Sequence, residues 1–420
     1  MSEPKPDGKS FEISKRLVWE AWRRVKANRG AEGVDEESIE EFERDLKGNL
    51  YKLWNRMSSG SYMPPPVRAV EIPKKGSGHG VRVLGVPTVA DRVAQTVARL
   101  YLEPEVEPLF HPDSYGYRPG RSAHDALRVC RERCWRYDWV LDLDLKSFFD
   151  SLDHSLVLRS VAHHTDLRWI LLYVERWLKA PLRLEDGTLK ARDRGSPQGS
   201  AISPVLANIF LHYALDLWLD REFPAVLFER YADDVILHCK SKAQAQVVFD
   251  AIIKRLAQVG LELNLDKTRI VYCKDSNRHG SHEHEQFTFL GYTFRPRRAR
   301  NRSGELFVSF CPAVSDDAAK EIGHTIKRWR LHLWSGQTLA DLARAINPIV
   351  RGWINFYGRF YRSELISLLR RIDEYLVRWA MRKYKRLRGH RTRTWRFLAA
   401  IAKREPGLFA HWMLVRPTAG

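Results

Sequence analysis

Residues 230–239 read RYADDVILHC and set two acids, Asp233 and Asp234, side by side between apolar runs. VLFERY leads into the pair and VILHC leads out of it. Short apolar arms of this kind around a polar centre predict a strand, a turn and a second strand, with both arms in a core. Adjacent carboxylates repel each other, and a nearby apolar core strengthens the repulsion. The pair therefore calls for a compensating cation.

A second stretch supplies more acids. Residues 139–145, WVLDLDL, alternate with period two, so Leu141, Leu143 and Leu145 share one strand face and Asp142 and Asp144 the other. Hard divalent ions such as Mg²⁺ take oxygen ligands from a few carboxylates and from substrate phosphates. Two such ions can hold the attacking and leaving oxygens of a phosphoryl transfer. Strand-borne acids gathered in one sheet would build that site. The ordinary alternative is surface acids paired with arginines, and alternation alone leaves the choice between Asp142 and Asp144 open.

The rest of the composition fits a polyanion partner. The chain has 420 residues, 44% of them hydrophobic, with a formal net charge of +19. That length suits two or three packed domains. Residues 321–420 hold 21 Lys and Arg against six Asp and Glu, a surplus of 15, together with six Trp. A basic, aromatic-bearing segment suggests nucleic acid; a merely soluble basic surface is the alternative. The five cysteines show no CxxC spacing, which fits free thiols in a reducing compartment better than a zinc site. The start, MSEPKPDGKS, lacks an apolar signal region, and no apolar run approaches a membrane span. The expectation is a cytoplasmic protein with no membrane partner.

Along the chain, residues 11–58 read as helices, with Asp35 a candidate N-cap for the second. Strand-like VRAVEIPKK follows three prolines, and VRVLGVPTVADRVAQ runs from strand into helix. SPVLANIFLHYALDLWLDREF reads as one apolar helix. Strand pieces recur near TRIVYCK and EQFTFLGYTFRP. Beyond about residue 314 the pattern is helical, and Leu365, Leu369, Ile372, Leu376 and Trp379 form one apolar stripe.

These blocks, in this order, resemble the bacterial group II intron-encoded reverse transcriptase/maturase family. YADD is similar to its YxDD signature. NRGAEGVD, SYGYRPGRSAHDAL, LDLDLKSFFDSLDH, GSPQGSAISPVLANIFL, LELNLDKT, FTFLGYTF and INPIVRGWINFYGRF resemble its other segments, from about residue 15 to 385. The resemblance implies an α+β right-hand polymerase: fingers and palm with an antiparallel sheet, then an all-helical thumb. The implied domains are an N-terminal extension (1–58), fingers and palm (59–310), a thumb or maturase domain (311–385) and a short basic nucleic-acid-binding segment (386–420). The family's HNH endonuclease motif is not seen here, so a primer for mobility would need another source.

The resemblance also assigns residues. Asp144, Asp233 and Asp234 become the catalytic triad and the ligands of two Mg²⁺ ions. Phe148 matches a bulky side chain under the sugar of the incoming nucleotide, with a core Phe as the alternative. Lys75 and Arg82 flank a Gly-rich tip and would clamp a triphosphate; spacing to Arg82 favours Lys75 over Lys74. Gln198 matches a nucleotide contact. Arg118 and Arg121 would touch template backbone or organise their turn. Tyr231 would support the hairpin near the primer end, Lys267 would lie near the palm, and Leu290, Gly291 and Tyr292 match a primer grip. Lys327, Arg328, Arg330, Arg382, Lys383, Lys385 and Arg386 would contact phosphates. The implied function is an RNA-directed DNA polymerase that binds its intron RNA to promote splicing and retrohoming, with RNA template, DNA primer, dNTPs and target DNA as partners. The alternatives are an RNA-binding maturase with little polymerase role, or a reverse transcriptase domesticated for repair or phage defence.

Overall fold

The computed structural model describes residues 9–73, 80–301 and 303–417. Lys74 and Lys75 lie outside them. The chain divides into two compact units: Met1–Ser122 with Leu141–Thr268, and Ala123–Val140 with Arg269–Gly420.

The first unit mixes helices with two sheets. Helices Lys15–Asn28, Ile39–Arg44 and Leu46–Ser58 pack around the long helix Val89–Val106. The Trp22 and Phe42 rings stack at 5.2 Å inside this bundle. The helix Ile39–Arg44 is capped by Ser38, whose hydroxyl accepts from the Glu41 N–H while the Glu41 carboxylate accepts from the Ser38 N–H. Asp35, the expected cap, instead accepts from the Glu37 N–H upstream. Ser38 prevails because the reciprocal Ser–x–x–Glu box satisfies two end donors at once.

A four-stranded sheet holds the hairpin Val67–Pro73/Val81–Val86, with Leu182–Arg183 and Leu189–Lys190 beyond it. The other sheet carries the acids. Strands Leu227–Tyr231 and Asp234–Cys239 are antiparallel, with Tyr231 opposite Asp234, so Ala232 and Asp233 form the turn. Asp234–Cys239 lies beside the strand Trp139–Asp144. Leu141 and Leu143 of that strand are buried while Asp142 and Asp144 are half-buried, as the alternation predicts.

The segment expected as one apolar helix is interrupted. Helices Ser203–Leu211 and Leu217–Glu222 are joined by a π-helical stretch, His212–Asp216. Such bulges rotate the following side chains relative to an unbroken helix.

The second unit contains the three-stranded sheet Phe287–Phe289, Tyr292–Arg300 and Leu306–Val314, and then only helices. One buried cluster runs from Val314 through Leu342, Leu369, Leu376 and Trp379 to Leu398, Phe409 and Trp412. This cluster runs past residue 385, within the compact unit that includes Arg269–Gly420. The apolar residues after 385 complete the core that the helix Arg362–Lys383 begins, so this segment folds into the helical body. Among the described residues no helix is long and apolar enough to cross a membrane.

Candidate active site

The acid turn is built on a strained, tightly supported loop. Ala232 has φ +57°, a left-handed conformation that costs a non-glycine residue about 1–2 kcal/mol. Arg230, just before the signature, supplies the support. It is fully buried and gives a forked pair of hydrogen bonds to Asp216 at 2.7 and 2.6 Å. It also donates to the Asn208 side chain at 3.0 Å and to the Ala232 carbonyl at 3.2 Å. Asp216 ends the π-helical stretch. The 113–117 segment braces the other side: the Tyr115 N–H donates to the Arg230 carbonyl and the Arg230 N–H to the Asp113 carbonyl. Gly116 lies so close that a Cβ there would sit 2.3 Å from the Ala232 nitrogen, which requires glycine. Tyr117 follows, 49% exposed and at φ +59°, with its hydroxyl raised by burial and then by the charge of Asp233.

Asp144 comes from a strand end held by a third segment. Its N–H donates to the Thr268 hydroxyl at 3.4 Å, its carbonyl accepts from the Asn264 N–H at 2.8 Å, and the Lys146 N–H donates to the Glu262 carbonyl. Lys267 of LDKT places its Nζ 3.6 Å from Asp144 Oδ2.

The three acids repel one another. Desolvation raises Asp233, and the charge of Asp144 adds to it. Asp234 is raised to about 7, first by desolvation and then by Asp233 and Asp144, against the lowering influence of Lys267 and Arg82. Asp234 itself is exposed, so solvent reaches it and weakens its repulsion by the neighbouring acids. An all-oxygen donor set whose charge is left under-compensated fits hard divalent cations.

The PQG loop lies in the same unit. The Gly85 N–H donates to the Gln198 carbonyl at 2.7 Å, and a Cβ on Gly199 would come 2.8 Å from the Gly85 oxygen. Behind it runs a buried relay. Ser200 Oγ and the Ala201 N–H both donate to Gln95 Oε1, Gln95 Nε2 donates to Asp91, and Asp91 also accepts from the Tyr62 hydroxyl and the Trp177 indole. Burial raises Asp91 to about 6 against these three donors.

Several expected contacts take a different form. Arg118 is buried, with its guanidinium committed to Glu107 and to the His111 and Ser114 carbonyls, so it organises its turn and presents no donor to a template. Arg121 is exposed, with its guanidinium over the Tyr115 ring. Phe148 is 2% exposed and packs against Phe149 and Phe210, the arrangement of a core ring. Arg82 is exposed, while Gln198 and Tyr231 are half-buried. In the second unit Leu290 and Gly291 make a left-handed turn and are half-buried, but the Tyr292 ring is buried and its hydroxyl donates to the Phe356 carbonyl, so that ring is withdrawn from the expected primer contact. Lys327, Arg328, Arg330, Arg382, Lys385 and Arg386 are exposed. Lys383 is spent on the Ser335 and Gln337 carbonyls. Arg230, Asp216, Asp91 and Gln95 escaped the sequence reading; polar residues within apolar runs, Asp91 and Gln95 one helical turn apart, were the available signal.

Residues 72–294 match the family described as "Reverse transcriptase (RNA-dependent DNA polymerase)", and residues 319–397 match "Group II intron, maturase-specific domain". The chain is 34% identical over 331 residues to Protein YkfC of Escherichia coli (strain K12), covering 69% of this chain and 82% of that one. It is 31% identical over 225 residues to the group II intron-encoded protein LtrA of Lactococcus lactis subsp. cremoris, covering 52% of this chain and 37% of LtrA. A Candida albicans telomerase structure, in complex with a fragment of telomeric RNA, matches with TM-score 0.48 at 12% identity, over 90% of this chain and 68% of that one. The first match spans more than half of the sequence and contains the whole acid turn with its supports. The chain belongs to the reverse transcriptase family, as an α+β RNA-directed DNA polymerase that carries the maturase-specific domain of group II intron proteins.

Proposed function

We propose that the protein extends a DNA primer on an RNA template at Asp144, Asp233 and Asp234 with two Mg²⁺ ions, and binds a group II intron RNA to promote its splicing and retrohoming. The observation that carries the reading is the gathering of three mutually repelling carboxylates from two distant segments onto one sheet of the first unit. Divalent ions held there would neutralise charge developing on the primer 3′-oxygen as it attacks the α-phosphorus of a dNTP and on the oxygen of the departing pyrophosphate. The chain's own groups do the rest. Asp144 and Asp233 serve as principal ligands, Asp234 completes the charge, and Lys267 restrains Asp144 in the free enzyme. The Arg230–Asp216 fork fixes the turn that aims Asp233. Arg82 places a cation toward the acids, where a triphosphate would sit. The Gln95–Asp91 relay holds the loop bearing Gln198, the expected nucleotide contact.

The exposed cations of the second unit, Lys327, Arg328, Arg330, Arg382, Lys385 and Arg386, supply phosphate contacts for intron RNA and primer–template. Target DNA and dNTPs complete the set of partners. The test is extension of a DNA primer on an RNA template with Mg²⁺ and dNTPs. Undiminished extension by an Asp233→Ala/Asp234→Ala protein would sink the assignment. Intron splicing that runs equally well without the protein would remove the maturase role.

A further inference from the structure

The helical part of the second unit contains a cavity of about 570 Å³ between the helices Arg362–Lys383 and Arg391–Arg404 and the 416–417 segment. Its lining has four arginines. Arg391 is neutralised by Glu374 at 2.6 Å. Arg370 and Arg416 make no hydrogen bond or ion pair with any other described residue, whereas the Arg371 guanidinium packs against Gly323 of the helix Asp316–Trp329. The half-buried Trp395 completes the wall. The floor is rigid: Asp373 is 1% exposed, and its Oδ1 accepts from the Trp412 indole at 2.8 Å with His411 Nε2 at 2.9 Å.

Two guanidiniums without protein partners remain at the cavity, and their planar forks match phosphate oxygens. The volume falls within the range of small-molecule sites, well above the size of a lone phosphate. A tryptophan in the wall offers a face on which a base stacks. A duplex buries its bases and would present only backbone at the mouth.

From these features we infer that the cavity takes a single phosphorylated nucleotide extruded from looped or single-stranded RNA. The phosphate meets Arg370 and Arg416, and the base lies on Trp395. The inference rests on the proposed RNA-binding role of this unit and gives it a specific seat for an unpaired nucleotide.

The test uses the full chain and a short single-stranded RNA carrying one 5-iodouridine, with a blunt RNA duplex of equal length as competitor. Irradiation is expected to cross-link the iodouridine to Trp395, read by mass spectrometry of the digested protein. The duplex should compete poorly. Arg370→Glu/Arg416→Glu, at two exposed positions, should lower single-strand affinity and reduce the log–log salt slope by about 1.4 for two lost contacts. Trp395→Phe keeps the packing and should keep much of the affinity while abolishing the tryptophan cross-link. Cross-linking confined to other residues, equal competition by the duplex, or an unchanged affinity in the double variant would each overturn the inference. Primer extension at saturating primer–template, measured in parallel, reports separately on the polymerase: its absence in the unmodified protein would defeat the polymerase reading and leave the cavity assignment standing or falling on the cross-link.

Discussion

The acid turn of the first unit and the basic helices of the second carry opposite charges and differ in how that charge is compensated. At the turn, three carboxylates sit beside a β-core, and burial and mutual repulsion raise two of them above the ordinary carboxylate range despite the opposing charges of Lys267 and Arg82. In the second unit the cations stand exposed on helices whose apolar stripes are consumed by the core. On the proposed reading the turn imports its positive charge as divalent ions, and these make it a catalytic centre. The helices already hold their charge, and on the proposed reading they need only a phosphate backbone. Rigid support is correspondingly unequal: a buried fork, a π-helical bend and a required glycine brace the turn, whereas the basic side chains are mostly free in solvent.

Substitutions can break this contrast at its sharpest point first. Asp233→Asn should reduce primer extension by at least about 10²–10³-fold, since it removes a group whose charge acts at the reacting centre. RNA binding, measured by filter retention, should be unchanged. Loss of both together would mean that the two regions are not separable.

Arg230→Ala tests the bracing. It strands Asp216 without its partner in a fully buried site, an effect of about 3–5 kcal/mol. Denaturant unfolding should show that loss. Arg230→Lys restores the charge without the fork and should recover part of the stability while extension stays low, because a point charge cannot hold Asp216 and the Ala232 carbonyl together. Full recovery of activity by lysine would argue against positioning.

The Asp91 relay gives a pH signature. Its folded pKa of about 6 lies above its ordinary value of 3.8, so the protonated form is the one that folding favours. The associated stability is present below about pH 4 and is lost as pH rises through about 6. The stability difference between the unmodified protein and Asp91→Asn should therefore change by up to about 3 kcal/mol across that window. A difference independent of pH would show that Asp91 stays ionised in the fold. The smallest expected effect is in the basic unit: Lys327→Glu/Arg328→Glu should lower the salt slope of RNA binding by about 1.4 and leave extension at saturating substrate intact.

Much of the candidate site was legible because its chemistry demands particular residues. Asp233 and Asp234 beside apolar strands call for a cation or a proton to offset their repulsion, and the period-two pattern of WVLDLDL puts acids on one face whatever surrounds it. The stripe from Leu365 to Trp379 likewise announced a core, and its residues are buried. What the linear pattern left unsettled depended on which of two equivalent uses a side chain would find. An arginine in YRPGRS can bind phosphate or tie a turn; the nearby Glu107 and two free carbonyls decided for the turn at Arg118. Tyr292 and Lys383 were claimed in the same way by the Phe356, Ser335 and Gln337 carbonyls.

The sequence by itself determined the acids, the alternation that orients Asp144, the polymerase family and the placement of positive charge late in the chain, since each follows from residue type and local period. Only the tertiary structure decided that residues beyond 385 share the helical core, that Arg230 is a buried brace for the turn and that Gln95 reaches the PQG loop. Those outcomes depend on burial and on partners distant in the chain, and hydrogen bonds between such partners leave no period in the sequence to be read.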